Sequence, residues 1–273
     1  MFKKLAKIVF PVLIMAFILS ACNRDYDKLL KSDDFALKLA KAYEYFEAEE
    51  YYKSQMLFEQ ARPFYRGTKE LEKIYFYYTY AQYHQKKYIL SAYYFKDFSK
   101  NYPNSEYSEE SSYMSAYSNY LLSPNYKLEQ TTTQNAIDGF QSFINAHPNS
   151  DKVTKCNILI EELRAKKEKK DINTADLYFK LREYQAATHC YRNVLKDYPD
   201  TRSAIDIRMK VLRASYELAV NSVDAKKIER FKNTIEEYEE FKDRHAENDA
   251  FMEDAEKIYK SAIEKLEKSK NLQ

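Results

Sequence analysis

Glycine occurs only twice in 273 residues, at Gly67 and Gly139, and tryptophan does not occur at all. Phosphate-cradling loops and dinucleotide fingerprints need several glycines at fixed spacing, so those chemistries are excluded almost at the outset. Tight β-hairpins lean on glycine as well, which leaves helices as the economical description of the chain. Histidine is scarce: His84, His147, His189 and His245 are scattered, without metal-ligand or catalytic spacing. Acids are plentiful, but runs such as "EEYEEF" at 236–241 interleave charge with an apolar stripe and read as solvated helix faces. No catalytic constellation emerges, so the expectation is a protein that is not an enzyme, with no cofactor and no metal.

Cysteine is scarce too: Cys22, Cys156 and Cys190. A bridge between the last two needs α-carbons within about 7 Å. The residues expected to pack beside Cys190 lie about 20 positions beyond Cys156, roughly 30 Å along one continuous helix. Both therefore read as small buried hydrophobes.

Long hydrophobic runs are missing except at the start. Lys3, Lys4 and Lys7 precede Ile8 to Leu19, apolar apart from Pro11, and polar residues follow from Asn23. Twelve residues cannot span a bilayer, which takes about 20; the charge and length match a signal peptide. "LSAC", residues 19–22, resembles the lipobox of bacterial lipoproteins. That resemblance implies cleavage after residue 21, acylation of Cys22, and a short tether over residues 22–31 with a reach of roughly 30 Å. Two or three acyl chains hold a protein durably on a membrane. Removing residues 1–21 takes three lysines from 44 basic residues and nothing from 42 acids, leaving a formal charge of −1. No basic excess remains for nucleic acid.

What the chain does have is a repeat. "YYKSQMLFEQA", "YILSAYYFKDFSKNYPNS", "NAIDGFQSFINAHPNS" and "YQAATHCYRNVLKDYPDT" each place a small residue, then a ring four on, then a core residue seven on. The sets are Ser54, Phe58, Ala61; Ser91, Phe95, Phe98; Ala136, Phe140, Phe143; and Ala187, Tyr191, Val194. Offsets of 0, 4 and 7 share one helical face, and Pro103, Pro148 and Pro199 stop the last three helices. The period resembles the tetratricopeptide repeat, a helix-turn-helix unit, with insertions. Ala42 and Tyr45, Tyr75 and Tyr78, Ala175 and Tyr178 fall at the packing positions of the first helices. The third repeat departs, with "SPNYKLEQTTTQN" (123–135) predicted as a loop. After Pro199, Met209 and Phe231 mark a further helix pair, and Ala255, Ala262 and Leu266 a terminal capping helix. The expected fold is all-α: a tetratricopeptide-repeat superhelix of five helix pairs plus a C-terminal helix.

Tyrosine, at 27 residues, is over-represented. "YFYYTYAQY" at 75–83 holds more rings than one packing stripe absorbs, leaving Phe76, Tyr80 and Tyr83 on a second stripe; Leu39, Tyr43 and Phe46 match them in repeat one. In tetratricopeptide repeats these positions line the concave groove. The six residues are therefore the candidate peptide-binding site, an aromatic wall suited to an extended peptide with aromatic side chains.

Lipobox, tether, helix pairs and the recurring "YPNS", "HPNS" and "YPDT" helix ends together resemble the BamD family of lipoproteins, which serve the β-barrel assembly (BAM) machinery of outer membranes. The resemblance implies outer-membrane anchoring facing the periplasm. Its implied partners are BamA, other BAM subunits and unfolded outer-membrane β-barrel proteins recognised through aromatic-ended signals. It also implies substrate binding by repeats in 32–150 and BamA binding by repeats in 151–273. Where the family carries a BamA-contacting arginine, this chain has Cys190, with Arg192 on another face, so no contact residue is carried over. Two other readings compete. A glycan-binding surface lipoprotein would lean on indole faces, which are absent, and a cell-wall coordinator would carry a coiled coil, of which there is no heptad run.

Overall fold

The computed structural model describes residues 25–245, 247 and 249–271, so the predicted leader and Cys22 lie outside the described residues. Among these, twelve α-helices and one 3-10 turn account for the regular structure, with no strand. Residues 25–31 form α1. Five pairs follow: α2 (Phe35–Glu47) with α3 (Tyr51–Ala61), α4 (Lys69–His84) with α5 (Tyr88–Asn101), α6 (Ser108–Leu122) with α7 (Thr131–Ala146), α8 (Val153–Lys180) with α9 (Tyr184–Asp197), and α10 (Ala204–Val220) with α11 (Asp224–His245). The last helix, α12 (Asp249–Asn271), packs on α11 and α10. This is the all-α tetratricopeptide-type architecture expected from the periodicity, and among the described residues no helix is long and apolar enough to cross a membrane.

The 0-4-7 pattern does what the helical period requires. All twelve residues in the four sets are buried, none more than 2% exposed. The small residue at offset 0 admits the neighbouring helix and bonds to it: Ser54 Oγ donates to the Ala42 carbonyl at 2.9 Å, and Ser91 Oγ to Ser118 Oγ at 3.1 Å. Proline stands two residues beyond the ends of α5, α7 and α9, where a missing N–H and a fixed φ forbid continuation. The Gly139 position explains itself by close approach: a Cβ there would sit 2.9 Å from Ala116 Cβ on α6.

Three intra-pair turns share one design. Glu49, Lys86 and Arg182 adopt φ near +60° at the middle of three-residue links. The next N–H reaches back five residues in each: Glu50 to the Tyr45 carbonyl at 2.8 Å, Lys87 to Gln82 at 3.0 Å and Glu183 to Tyr178 at 3.0 Å. This satisfies the orphan carbonyls of the first helix. The third pair lacks the turn and is joined by residues 123–130 instead.

Three expectations change. The third-repeat loop is shorter than predicted, because residues 131–135 belong to α7, whose start is held by Thr133 Oγ1 donating to Gln130 Oε1 at 2.7 Å. The segment taken as a tether is helical from residue 25, with Tyr26 buried and its ring edge-on to Tyr45 at 5.6 Å. Lys38 secures that helix by donating to the Leu30 carbonyl at 3.1 Å and to Gln60 Oε1 at 2.8 Å. Finally, Tyr178 is 38% exposed, and Phe179 packs in its place against the core around Ala175 and Tyr191.

The helices pack as two compact units. One comprises the described residues up to Pro124 with Gln130–Ile160, the other Asn125–Glu129 with Glu161 onward, so α8 contributes to both. In the second unit the short 125–129 segment is tied to α8: Lys170 donates to the Leu128 carbonyl at 2.7 Å and Lys169 lies 4.6 Å from the Tyr126 ring. Cys156 and Cys190 are free thiols. Cys156 is buried, which pushes its thiol up to about 11, while Cys190 is half-buried.

Candidate functional site

The aromatic residues singled out above all lie in the first unit, on α2 and α4. Leu39 is the exception to the expected wall. It is 8% exposed and sits in the core with Ala42, Phe58 and Tyr75, because the α2 face that carries it is closed over. The other five, Tyr43, Phe46, Phe76, Tyr80 and Tyr83, are half-buried and joined in one ring network. Phe76 and Tyr80 meet at 4.8 Å between centroids, and Tyr80 and Tyr83 at 6.1 Å.

The joint between α2 and α4 is Tyr77, which the two-stripe reading passed over. Its ring lies edge-on to Tyr43 at 5.2 Å, to Phe46 at 4.9 Å and to Phe76 at 5.8 Å. His84 closes the other end, stacked on Tyr51 at 4.2 Å and 5.9 Å from Phe46. These edge-to-face arrangements add about 0.5–1.5 kcal/mol per pair beyond buried area.

The same register recurs on α6. Tyr113, Tyr117 and Tyr120 stand 37 residues after Phe76, Tyr80 and Tyr83, which in turn stand 37 after Leu39, Tyr43 and Phe46. Tyr113 and Tyr117 stack at 5.7 Å, Tyr117 and Tyr120 at 5.6 Å. The signal was present in the sequence, since the same interval applied once more finds all three. The irregular link after α6 drew attention away from its first helix.

Electrostatics along this face follow the same register. Tyr43 donates to Glu70 at 3.0 Å and Tyr80 to Glu110 at 2.6 Å, each reaching the first turn of the next first helix. Burial and the acceptor carboxylate both hold these hydroxyls well above the ordinary phenol value, so they are neutral donors. Lys152 balances Glu110 at 3.2 Å. Rings with satisfied hydroxyls can receive apolar and aromatic side chains. Among the described residues no group of histidines, cysteines or acids could hold a metal ion.

A profile of the YfiO family, described as an outer membrane lipoprotein, matches residues 37–231, well over half of the chain. The chain belongs to this family. It is the family of BamD, to which the lipobox and helix ends pointed. No curated protein sequence matches the chain. Two solved tetratricopeptide structures are similar at low identity. The TPR2AB domain of yeast Sti1 in complex with pHsp90 is 14% identical, with 84% of this chain and 98% of that one covered and a TM-score of 0.40. The P58(IPK) TPR domain is 13% identical, with 86% and 68% covered and a TM-score of 0.41.

Within the second unit, Arg192 of α9 ion-pairs with Glu237 of α11 at the edge of a cleft of about 530 Å³ that Arg208, Glu236 and Glu240 also line. Cys190 packs instead at the margin of the core around Tyr191 and Ile207.

Proposed function

We propose that the chain is a non-enzymatic scaffold lipoprotein of the β-barrel assembly machinery, anchored to the outer membrane through acylated Cys22 and facing the periplasm. It binds BamA and unfolded outer-membrane β-barrel proteins. The observation that carries the reading is the ring network of α2 and α4, repeated in register by the stacked tyrosines of α6, in a chain of an outer membrane lipoprotein family. Rings bury large areas at low entropy cost, which suits a face that receives varied extended segments with aromatic side chains. Anchoring keeps that face beside the membrane and raises the local concentration of incoming chains near the insertion partner. The N-terminal repeats take substrate, and those after residue 150 take BamA.

Membrane co-purification tests the partner: the largest co-purifying polypeptide is expected to be BamA. The face is tested with an aromatic-ended peptide. A photocrosslink from Tyr80 or Phe46 is expected to be competed by that peptide and not by oligosaccharide, and Tyr43→Ala, Tyr80→Ala, Tyr83→Ala combined is expected to weaken binding at least tenfold. Unchanged affinity in that variant removes the face from the mechanism.

A further inference from the structure

The 37-residue register exposes a change of sign. Tyr43 and Tyr80 each meet a glutamate in the first turn of the next first helix. Their equivalent on α6, Tyr117, meets Lys155 in the first turn of α8, with the ammonium 5.1 Å from the Tyr117 ring and 5.5 Å from the Tyr113 ring. Lys155 makes no ion pair among the described residues, whereas its neighbour Lys152 is held by Glu110 at 3.2 Å and Asp151 at 3.7 Å. Glu110 is thus already matched by Lys152 and by the Tyr80 hydroxyl. Beneath the cation, the buried Tyr113 hydroxyl has no partner within strict hydrogen-bond geometry, and the group that reaches toward it is the Lys155 ammonium, whose pKa this contact raises. Tyr83 lies within electrostatic range of the same group.

We propose that Lys155 is the anion-recognition point of the aromatic face, and that it takes the carboxylate at the end of a bound peptide whose final ring packs on Tyr83 and Tyr117. This rests on the reading of the face as a peptide site. An ammonium held over two rings is fixed in position, and with three N–H donors it keeps at least two free for an acceptor. A carboxylate is the acceptor that gains most from it, through charge-assisted hydrogen bonds. Glu110 and Asp151 are partnered by the neighbouring Lys152, so they oppose an incoming anion only weakly. The two other steps along this face present Glu70 and Glu110, so a carboxylate-ended peptide has one favoured direction along it.

The test uses the full chain and three ten-residue peptides that end in phenylalanine: a free acid without Asp or Glu, its C-terminal amide, and the amide with Asp before the final ring. By fluorescence anisotropy the free acid is expected to bind about tenfold or more tighter than the plain amide. Lys155→Gln is expected to erase that preference and leave the affinity for the amide unchanged, while Lys155→Arg keeps it. Lys155 is exposed, so neither variant threatens folding. Recovery of affinity by the Asp-containing amide, lost in Lys155→Gln, would support the cation site with a side-chain carboxylate as the source. Equal binding of acid and amide by the unaltered chain, or a preference that survives Lys155→Gln, overturns the assignment while the face still binds. Failure of every peptide to bind overturns the peptide-site reading and this inference with it.

Discussion

Tyr26 carries its ring into the seam between α1, α2 and α3, where its hydroxyl donates weakly to the Lys53 carbonyl at 3.4 Å. Burial, reinforced by Tyr52, Tyr45 and Asp27, pushes its pKa up to about 12, and burial does the same to Tyr78. In the unfolded chain both titrate near 10. Below about pH 10 folded and unfolded states both hold the protons; above it the unfolded chain releases them first, so stability falls as pH rises toward 12. Thermal melts across this range are expected to show Tm declining from about pH 10. The decline should be shallower in a Tyr26→Phe, Tyr78→Phe double variant; an identical slope would remove these hydroxyls as its cause. Residue identity was legible where a pattern had a single consequence, as for Phe58, Phe95 and Phe140, each wholly buried. It was less so where one helix offered two apolar stripes. Leu39 and Tyr43 share a stripe in sequence, yet Leu39 is closed over by the core and Tyr43 is half-buried beside Glu70.

At the scale of elements, the α6–α7 pair depends on a missing side chain. A Cβ on Gly139 would lie 2.9 Å from Ala116 Cβ and 3.2 Å from its Cα, so a substitution meets backbone as well as side chain. Gly139→Val is expected to destabilise the chain by about 1–3 kcal/mol in urea unfolding, the usual cost of overpacking. Ala116→Gly in the same chain should recover part of that loss if the two sites couple as neighbours do. The helix ends were readable from proline. The left-handed turns at Glu49, Lys86 and Arg182 were not, because none uses the glycine that ordinarily signals such a turn. Their conformation is tied to the reach-back bonds to Tyr45, Gln82 and Tyr178, which satisfy carbonyls of the first helix's last turns at the cost of some strain in a non-glycine residue.

For the whole molecule, the decisive relation is between the proposed anchor at Cys22 and the first unit. Two residues, Asn23 and Arg24, separate Cys22 from Asp25, where helix α1 is already in place, so an acylated Cys22 would hold the start of α1 within about 11 Å of the membrane surface. Cys22→Ser is expected to move the chain from the membrane pellet to the soluble fraction and to abolish palmitate incorporation, while the thermal melt of the folded part stays unchanged. Retention in the pellet without palmitate would assign membrane attachment to partners instead. The sequence alone determined the number of helix pairs, the ends of α5, α7 and α9 and the buried face of the second helices from α3 to α9, because a 0-4-7 pattern has one low-energy outcome in water and proline cannot continue a helix. Tertiary structure decided which rings meet across helices, that Tyr77 joins α2 to α4, and that Lys155 lies over Tyr113 and Tyr117. The physical reason is that periodicity specifies a direction around one helix axis, whereas the partner in that direction is specified only once neighbouring axes have packed.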